Sequence, residues 1–279
     1  MRGPSAVRCW AAGWRDRLAN LTSWTALLLA GSRPGGDPFA DAHQVTAKAL
    51  IPVAGEPMIA RPVRALLDSP RISQVRVLAQ DGALLEPVLP VDARLTIEPS
   101  EATIAATIEA IIADPATRWP LLVTTADHAL LDGAMIEDFC ARADGADVAI
   151  GLVERRALMA RLPETRRTWI GFRGGAYSGA NLFALGSLKA AGAVRLWREV
   201  EQDRKKGWKL LLALGLPGLL GLARLKTLDQ TLAAMGRRLG LSICAIELTN
   251  PLAAVDVDKP ADLALVEAII GGRGQGNKA

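Results

Sequence analysis

Cysteine is scarce in this chain and shows no pairing pattern. Cys9, Cys140 and Cys244 are scattered, odd in number and form no C-x-x-C spacing. Neither a zinc site nor a disulfide framework is indicated, and a reducing compartment is the reading they support. Charge of one sign is also in short supply. The 33 Lys+Arg against 29 Asp+Glu leave a formal charge of +4, too small an excess to argue for nucleic-acid binding. Long apolar runs are missing as well. The longest uncharged one, Leu210 to Ala223, is shorter than a bilayer span and is broken by Gly215, Pro217, Gly218 and Gly221. Near the start, Arg2, Arg8, Arg15 and Arg17 are followed by no unbroken apolar stretch before Asn20, so no signal peptide is read and the expected location is cytoplasmic. No internal repeat is present.

What the chain does have is core-forming material: 279 residues, 50% of them hydrophobic, enough for one large domain with an insert. Residues 1–24 read as an amphipathic appendage, with Val7, Trp10, Trp14, Leu18 and Leu21 forming one helical stripe. Thr25 to Ala30 is a short apolar run closed by Gly31, the pattern of a buried strand. Beyond it, a helix is predicted from Pro57, strands at Gln74–Ala79 and Arg94–Ile97, and a helix capped by Ser100 that runs through Ala113. Then come a strand at Leu121–Thr125, a helix over Ala134–Arg142 and a strand at Asp147–Val153. This alternation predicts a mostly parallel α/β sheet. Later, Asn181–Leu185 and Ser242–Glu247 read as strands, 187–239 as almost wholly helical, and Lys259-Pro260 as the opening of a last helix to Ile270. The expected division is therefore a core of 25–186 and 240–271, a helical insert at 187–239 and a disordered tail at 272–279.

Three stretches carry chemistry. The first is Leu29-Ala30-Gly31-Ser32-Arg33-Pro34-Gly35-Gly36-Asp37, followed by Lys48-Ala49-Leu50-Ile51-Pro52-Val53-Ala54-Gly55-Glu56-Pro57-Met58. A glycine loop after a strand lets backbone N–H groups approach phosphates, and Arg33 and Lys48 add positive charge where pyrophosphate leaves. It matches neither a Walker A loop nor a G-x-G-x-x-G fingerprint. The bland alternative is an ordinary βα loop with solvated bases. The second is Thr124-Thr125-Ala126-Asp127-His128, where Asp127 ends a buried strand, the place where ligands bind in open α/β sheets. A carboxylate there suits Mg²⁺ bridging phosphates, although a turn or cap role is the alternative. His128 reads as a packing residue rather than a ligand. The third is Ala254-Val255-Asp256-Val257-Asp258-Lys259-Pro260-Ala261-Asp262-Leu263. Alternation puts Asp256 and Asp258 on one face, Asp262 falls in the first turn of the following helix, and the alternative for Asp258 is a helix cap.

In order and spacing these stretches resemble the nucleotidyltransferases of the GT-A-like fold. That group includes molybdenum-cofactor guanylyltransferase-like proteins, sugar-phosphate nucleotidylyltransferases and several cytidylyltransferases. The group's L-A-G-G-x-G-[ST]-R-[ML] is matched by Leu29-Ala30-Gly31-Ser32-Arg33, with Ser32 in place of the second glycine and the arginine early. Its K-x-L-x-x-[VL]-x-G-[KR]-P-[ML] is matched closely from Lys48 to Met58. The resemblance spans roughly 25–186 and 242–270. It implies a Rossmann-like GT-A fold with Mg²⁺ as cofactor. Lys48, Arg33 and Asp127 would be the catalytic residues, and Asp127 with Asp258 the metal ligands, Asp256 being the alternative to Asp258. Leu29, Ala30, Gly31, Ser32, Lys48, Ser100, Thr103 and Asp127 would lie around the nucleotide, and Asn181 and Ser178 at the acceptor. The implied reaction joins an NTP, CTP or GTP, to a phosphorylated small molecule and releases pyrophosphate. A glycosyltransferase on the same fold is the runner-up, although only one carboxylate stands in Asp127-His128-Ala129. A non-catalytic nucleotide-binding regulatory domain is the third reading.

The insert carries Arg195, Arg198, Arg204, Lys205, Lys206 and Lys209 beside Trp197 and Trp208. Bases beside Trp and Leu can dock on anionic membrane faces, so peripheral contact through 195–225 and a lipid-headgroup precursor as acceptor are entertained. A helical lid or a homodimer contact is the plainer alternative. Co-sedimentation with anionic vesicles decides the membrane reading: the protein should pellet with them at low salt, and its staying in the supernatant would remove the idea.

Overall fold

The computed structural model describes residues 22–31, 36–202 and 224–275. The stripe at 1–21, Ser32 and Arg33 in the phosphate loop, the run 204–223 and residues 276–279 lie outside the described residues.

Strand β1 (Trp24–Leu29) is buried along almost its whole length because both neighbours are parallel strands and both faces are covered. It lies inside an eight-stranded sheet of order β10-β7-β9-β6-β1-β4-β5. The members are β4 (Ile72–Ala79), β5 (Leu95–Pro99), β6 (Leu121–Thr125), β7 (Val148–Glu154), β9 (Gly175–Leu185) and β10 (Ile243–Glu247), with β8 (Ile170–Phe172) paired to β9. Every strand on that path is parallel to β1 except β9, which runs antiparallel between β6 and β7. Because β4 lies on one side of β1 and β6 on the other, a crevice opens between Gly31 and Asp127 at the carboxyl edge.

Helices flank the sheet: α1 (Pro38–Ala42), α2 (Ala60–Asp68), α3 (Ile104–Ala113), α4 (Gly133–Ala143), α5 (Arg155–Arg161), α6 (Ala191–Gln202), α7 (Leu228–Leu239) and α8 (Pro260–Gln275). One apolar cluster, including Leu28, Val63, Leu66, Ile136 and Phe139, fills one face, and a second, including Leu27, Ile108, Leu121 and Val194, fills the other.

Several expectations are corrected. Pro57 does not open a helix. It ends β3 (Glu56–Pro57), which pairs with β2 (Pro52–Val53), and α2 starts three residues later. The two-residue turn between these strands needs positive φ at both positions, and Ala54 and Gly55 adopt 49° and 85°. Ser100 is not the cap of α3. Its N–H still donates to the Ala79 carbonyl at the sheet edge, and Thr103 caps the helix by accepting from the Ala106 N–H at 3.2 Å. Strand β9 begins at Gly175 rather than Asn181, because β8 and β7 pair with its polar, glycine-containing first half. Helix α5 was not expected; Glu154 caps it by accepting from the Arg156 and Ala157 N–H groups. Within 187–239 the described residues form a short 3-10 turn, α6 and α7. Both helices pack on the core: α6 docks on α3, with Arg198 paired to Glu109 and Phe183 against Trp197, and α7 lies against β10. The last helix runs to Gln275, four residues into the stretch read as a tail. Among the described residues no helix is long and apolar enough to cross a membrane.

Gly186 leaves β9 against the entry to β7. A Cβ there would sit 2.1 Å from the Ala146 carbonyl oxygen, whereas at Gly192, in α6, it would meet nothing within 4 Å. Gly186→Ala should therefore lower the unfolding free energy by about 1–3 kcal/mol. Gly192→Ala should leave it unchanged or raise it by up to about 1 kcal/mol. Urea midpoints of the two variants check this, and equal midpoints would refute it.

Candidate active site

Lys48 starts the 3-10 turn Lys48–Leu50, which the buried Ala49 and Ile51 anchor under the carboxyl edge. Its ammonium donates to Asp127 Oδ2 at 2.7 Å and to Asp258 Oδ1 at 2.5 Å. The Lys48 and Asp127 side chains are each 20% exposed, and that of Asp258 is 53% exposed. Asp127 lies two residues beyond Thr125, the last residue of β6, and the Thr125 hydroxyl donates to its Oδ1 at 2.5 Å. The loop carrying Asp258 is tied to the same place by its backbone: the Val257 N–H donates to the Asp127 carbonyl at 3.0 Å. Farther along, the Asp258 N–H donates to Asp262 Oδ2 at 3.2 Å, which sets the start of α8. Glu267, on α8, accepts from the Ala54 N–H at 2.9 Å, so α8 also holds the β2–β3 turn.

Asp256 faces elsewhere. Its carboxylate pairs with the Arg167 guanidinium and accepts from Asn181 Nδ2 at 3.3 Å, and its carbonyl accepts from Arg167 Nη2 at 3.0 Å. Arg167 also lies 3.6 Å from Asp262 and is only 9% exposed. Asn181 reaches this position from an irregular stretch of β9 where its φ is 49°. The sequence alternatives for the second carboxylate thus separate: Asp258 shares a cation with Asp127, and Asp256 does not. Among the described residues no three His, Cys, Asp or Glu side chains converge in a way that could hold a metal.

The remaining candidates spread along the same edge. The backbone of Leu29 and Ala30 is bonded into the sheet between β4 and β6, and the exposed Gly31 packs against the Gln80 carboxamide. Ser100 Oγ is buried with no hydrogen-bond partner, whereas Thr103 is committed to capping α3. Ser178 is buried in β9 opposite Val153. His128 packs at 1% exposure with both ring nitrogens unpartnered, and burial drives its pKa down to about 4, so it is neutral. Arg167 and the Thr125 hydroxyl went unnoticed in the sequence. Arg167 sits in an irregular loop far from every motif, with no spacing signal to mark it. Thr125 could have been noticed as the hydroxyl two residues before Asp127.

A family model, the MobA-like NTP transferase domain, matches residues 26–216. The chain belongs to the MobA-like NTP transferase domain family. A hypothetical transferase from Thermus thermophilus is similar along its entire length, at 27% identity, a TM-score of 0.74 and 87% coverage of this chain. Two more distant structures share the fold. The 4-diphosphocytidyl-2C-methyl-D-erythritol synthase of Anaerococcus prevotii is 8% identical, with TM-score 0.54, covering 90% of this chain and 96% of its own. A CMP:2-keto-3-deoxy-manno-octonic acid synthetase complexed with CTP is 12% identical, with TM-score 0.53, covering 90% of this chain and 100% of its own. No curated protein matches. Family membership makes the chain an NTP transferase domain, a nucleotidyltransferase on a Rossmann-like sheet.

Burial works against the charge of Lys48, but the Asp127 carboxylate and then Asp258 more than offset it, and its pKa lies above the ordinary 10.5. For a raised pKa the stability gained from the pairing is complete below the unfolded value and fades as pH climbs through the folded one. The stability difference between wild type and Lys48→Met should therefore stay constant from about pH 7 to about pH 10 and shrink above that. Denaturation at stepped pH measures it, and a difference already gone by about pH 8 would show that the ammonium is not held this way.

Proposed function

We propose that this NTP transferase domain joins an NTP to a phosphorylated small molecule and releases pyrophosphate. The single observation that carries the proposal is the meeting of Asp127 and Asp258 on Lys48, at the strand end next to that of β1. An oxygen of the acceptor phosphate attacks the α-phosphorus in line, the bond from that phosphorus to the bridging oxygen breaks, and pyrophosphate leaves with the electron pair. No covalent enzyme intermediate is needed, so the protein's work is positioning and electrostatic stabilisation.

The two carboxylates fit a hard divalent cation, since Mg²⁺ in such sites is held by one or two carboxylates and completes its shell with water and substrate phosphates. Asp127 and Asp258 would hold it, and when bound it supplies positive charge to the triphosphate. Lys48, whose ammonium here bridges the two carboxylates, would supply its positive charge to the departing phosphates. Thr125 keeps Asp127 oriented throughout. Arg33 and Ser32 are assigned to the phosphate loop, Ser100 to the base, and Ser178 to the acceptor wall. CTP is the first nucleotide to test and GTP the second. Against the glycosyltransferase alternative stands the turn after β6, where Asp127 is followed by a buried, neutral histidine and Ala129 rather than by a second carboxylate.

The test is pyrophosphate release with each of the four NTPs and a panel of phosphorylated acceptors. One combination should turn over. Asp127→Ala and Asp258→Ala should each slow it by roughly 10²–10³ while the circular dichroism spectrum stays unchanged. Consumption of a nucleoside diphosphate sugar, or binding without turnover, would replace the reading.

A further inference from the structure

Four carboxylates crowd the end of β6 and the loop entering α8, and two partly enclosed cations divide them. Lys48 takes Asp127 and Asp258, and Arg167 takes Asp256 and Asp262. The second set has no role in the chemistry above, yet it is the more deeply enclosed. Arg167 reaches it from the irregular stretch between α5 and β8, contributing both terminal nitrogens while its Nε stays buried with no partner. Asn181 approaches the same carboxylate from the other side, held in a left-handed backbone conformation at a break in the register between β7 and β9. Such irregularities commonly re-aim a side chain at a functional edge. A buried ion pair is a poor way to gain stability, because desolvating both charges costs nearly as much as their attraction returns. This one instead bears on where Asp256 points.

We infer that Arg167 is a positioning residue: with Asn181 it withholds the Asp256 carboxylate from the cation pair, so that Asp258 alone joins Asp127. Asp256 and Asp258 are separated by one residue of extended backbone, and Val257 between them is bonded to Asp127 itself. With Arg167 gone, only Asn181 of its side-chain partners is left to hold the Asp256 carboxylate, which stands two positions along the chain from Asp258. A third protein carboxylate would bind a divalent cation more tightly but would take a coordination position that substrate phosphate needs, and it would add repulsion toward the triphosphate. The inference rests on reading Asp127 and Asp258 as the cation ligands.

The experiment titrates Mn²⁺ alone, without nucleotide, into the full chain and follows water-proton relaxation. Wild type is compared with Arg167→Met, Asp256→Asn and the double variant. Arg167→Met should bind Mn²⁺ more tightly than wild type, by roughly tenfold for the added carboxylate charge, and the double variant should return to the wild-type affinity. Turnover is read separately. Arg167→Met should lose roughly tenfold to a hundredfold in kcat with little change in KM for the NTP, and adding Asp256→Asn should recover part of the loss. If Arg167→Met does not fold, Arg167→Lys replaces it, since an ammonium lacks the two-pronged fork with which the guanidinium grips Asp256 and reaches Asp262, and its Mn²⁺ affinity should exceed that of wild type. Mn²⁺ binding by the Arg167 variant no tighter than by wild type overturns the inference, whatever the turnover. A wild type that releases no pyrophosphate from any NTP defeats the proposed reaction and leaves the Mn²⁺ comparison standing.

Discussion

The ammonium of Lys48 draws together two carboxylates that lie 79 and 210 residues away along the chain. Like charges brought to that proximity repel, and more strongly where water is partly excluded. The loop from Asp256 to Asp262 can therefore close on the end of β6 only with positive charge between them. Backbone bonding supports the closure, since Val257 donates to the Asp127 carbonyl and α8 is clamped to the β2–β3 turn through Glu267. The same electrostatics that let the chain close also bring together the carboxylates proposed to hold a cation, so the folding requirement and the proposed chemistry share one cause.

Around that point the sheet divides the labour. The strands on one side of the crevice, β1, β4 and β5, present Gly31, Gln80 and Ser100. Those on the other, β6, β9 and β7, present Asp127, Asn181 and the start of α5. The reversal of β9 is what brings Asn181 and Ser178 to the carboxyl edge of the parallel strands, since an antiparallel strand offers its early residues where its neighbours offer their last. Arg167 then enters from the connection leading into β8. Its guanidinium is lowered in pKa by burial, against the opposing charges of Asp262, Asp258 and Asp127, and so it feels both halves of the acidic group.

The parts of the structure legible in the sequence were those with local causes. The apolar runs of β1 and β6, the glycine that ends β1 and the aspartate that ends β6 follow from burial and turn chemistry within a few residues. The motif from Lys48 to Met58 pointed to the family to which the chain belongs. The misreadings came where a local rule met a competing one. Pro57 suits a helix start, but the Ala54–Gly55 turn won it for a hairpin. Ser100 suits a cap, but β5 was still bonded to β4 at that point, which left the cap to Thr103. The first half of β9 is too polar and glycine-rich to read as a strand, and its pairing with β7 and β8 made it one.

By itself the sequence determined the alternation of strands and helices, the parallel sheet and the identity of the acidic residues worth watching, because hydrophobic periodicity and short motifs are properties of neighbours in the chain. Only the tertiary structure decided which of Asp256 and Asp258 stands with Asp127, and that Arg167 matters at all. Those outcomes depend on charges 79 to 210 residues apart competing for the same partners. Pairwise electrostatics falls off with distance in space, which linear spacing does not encode.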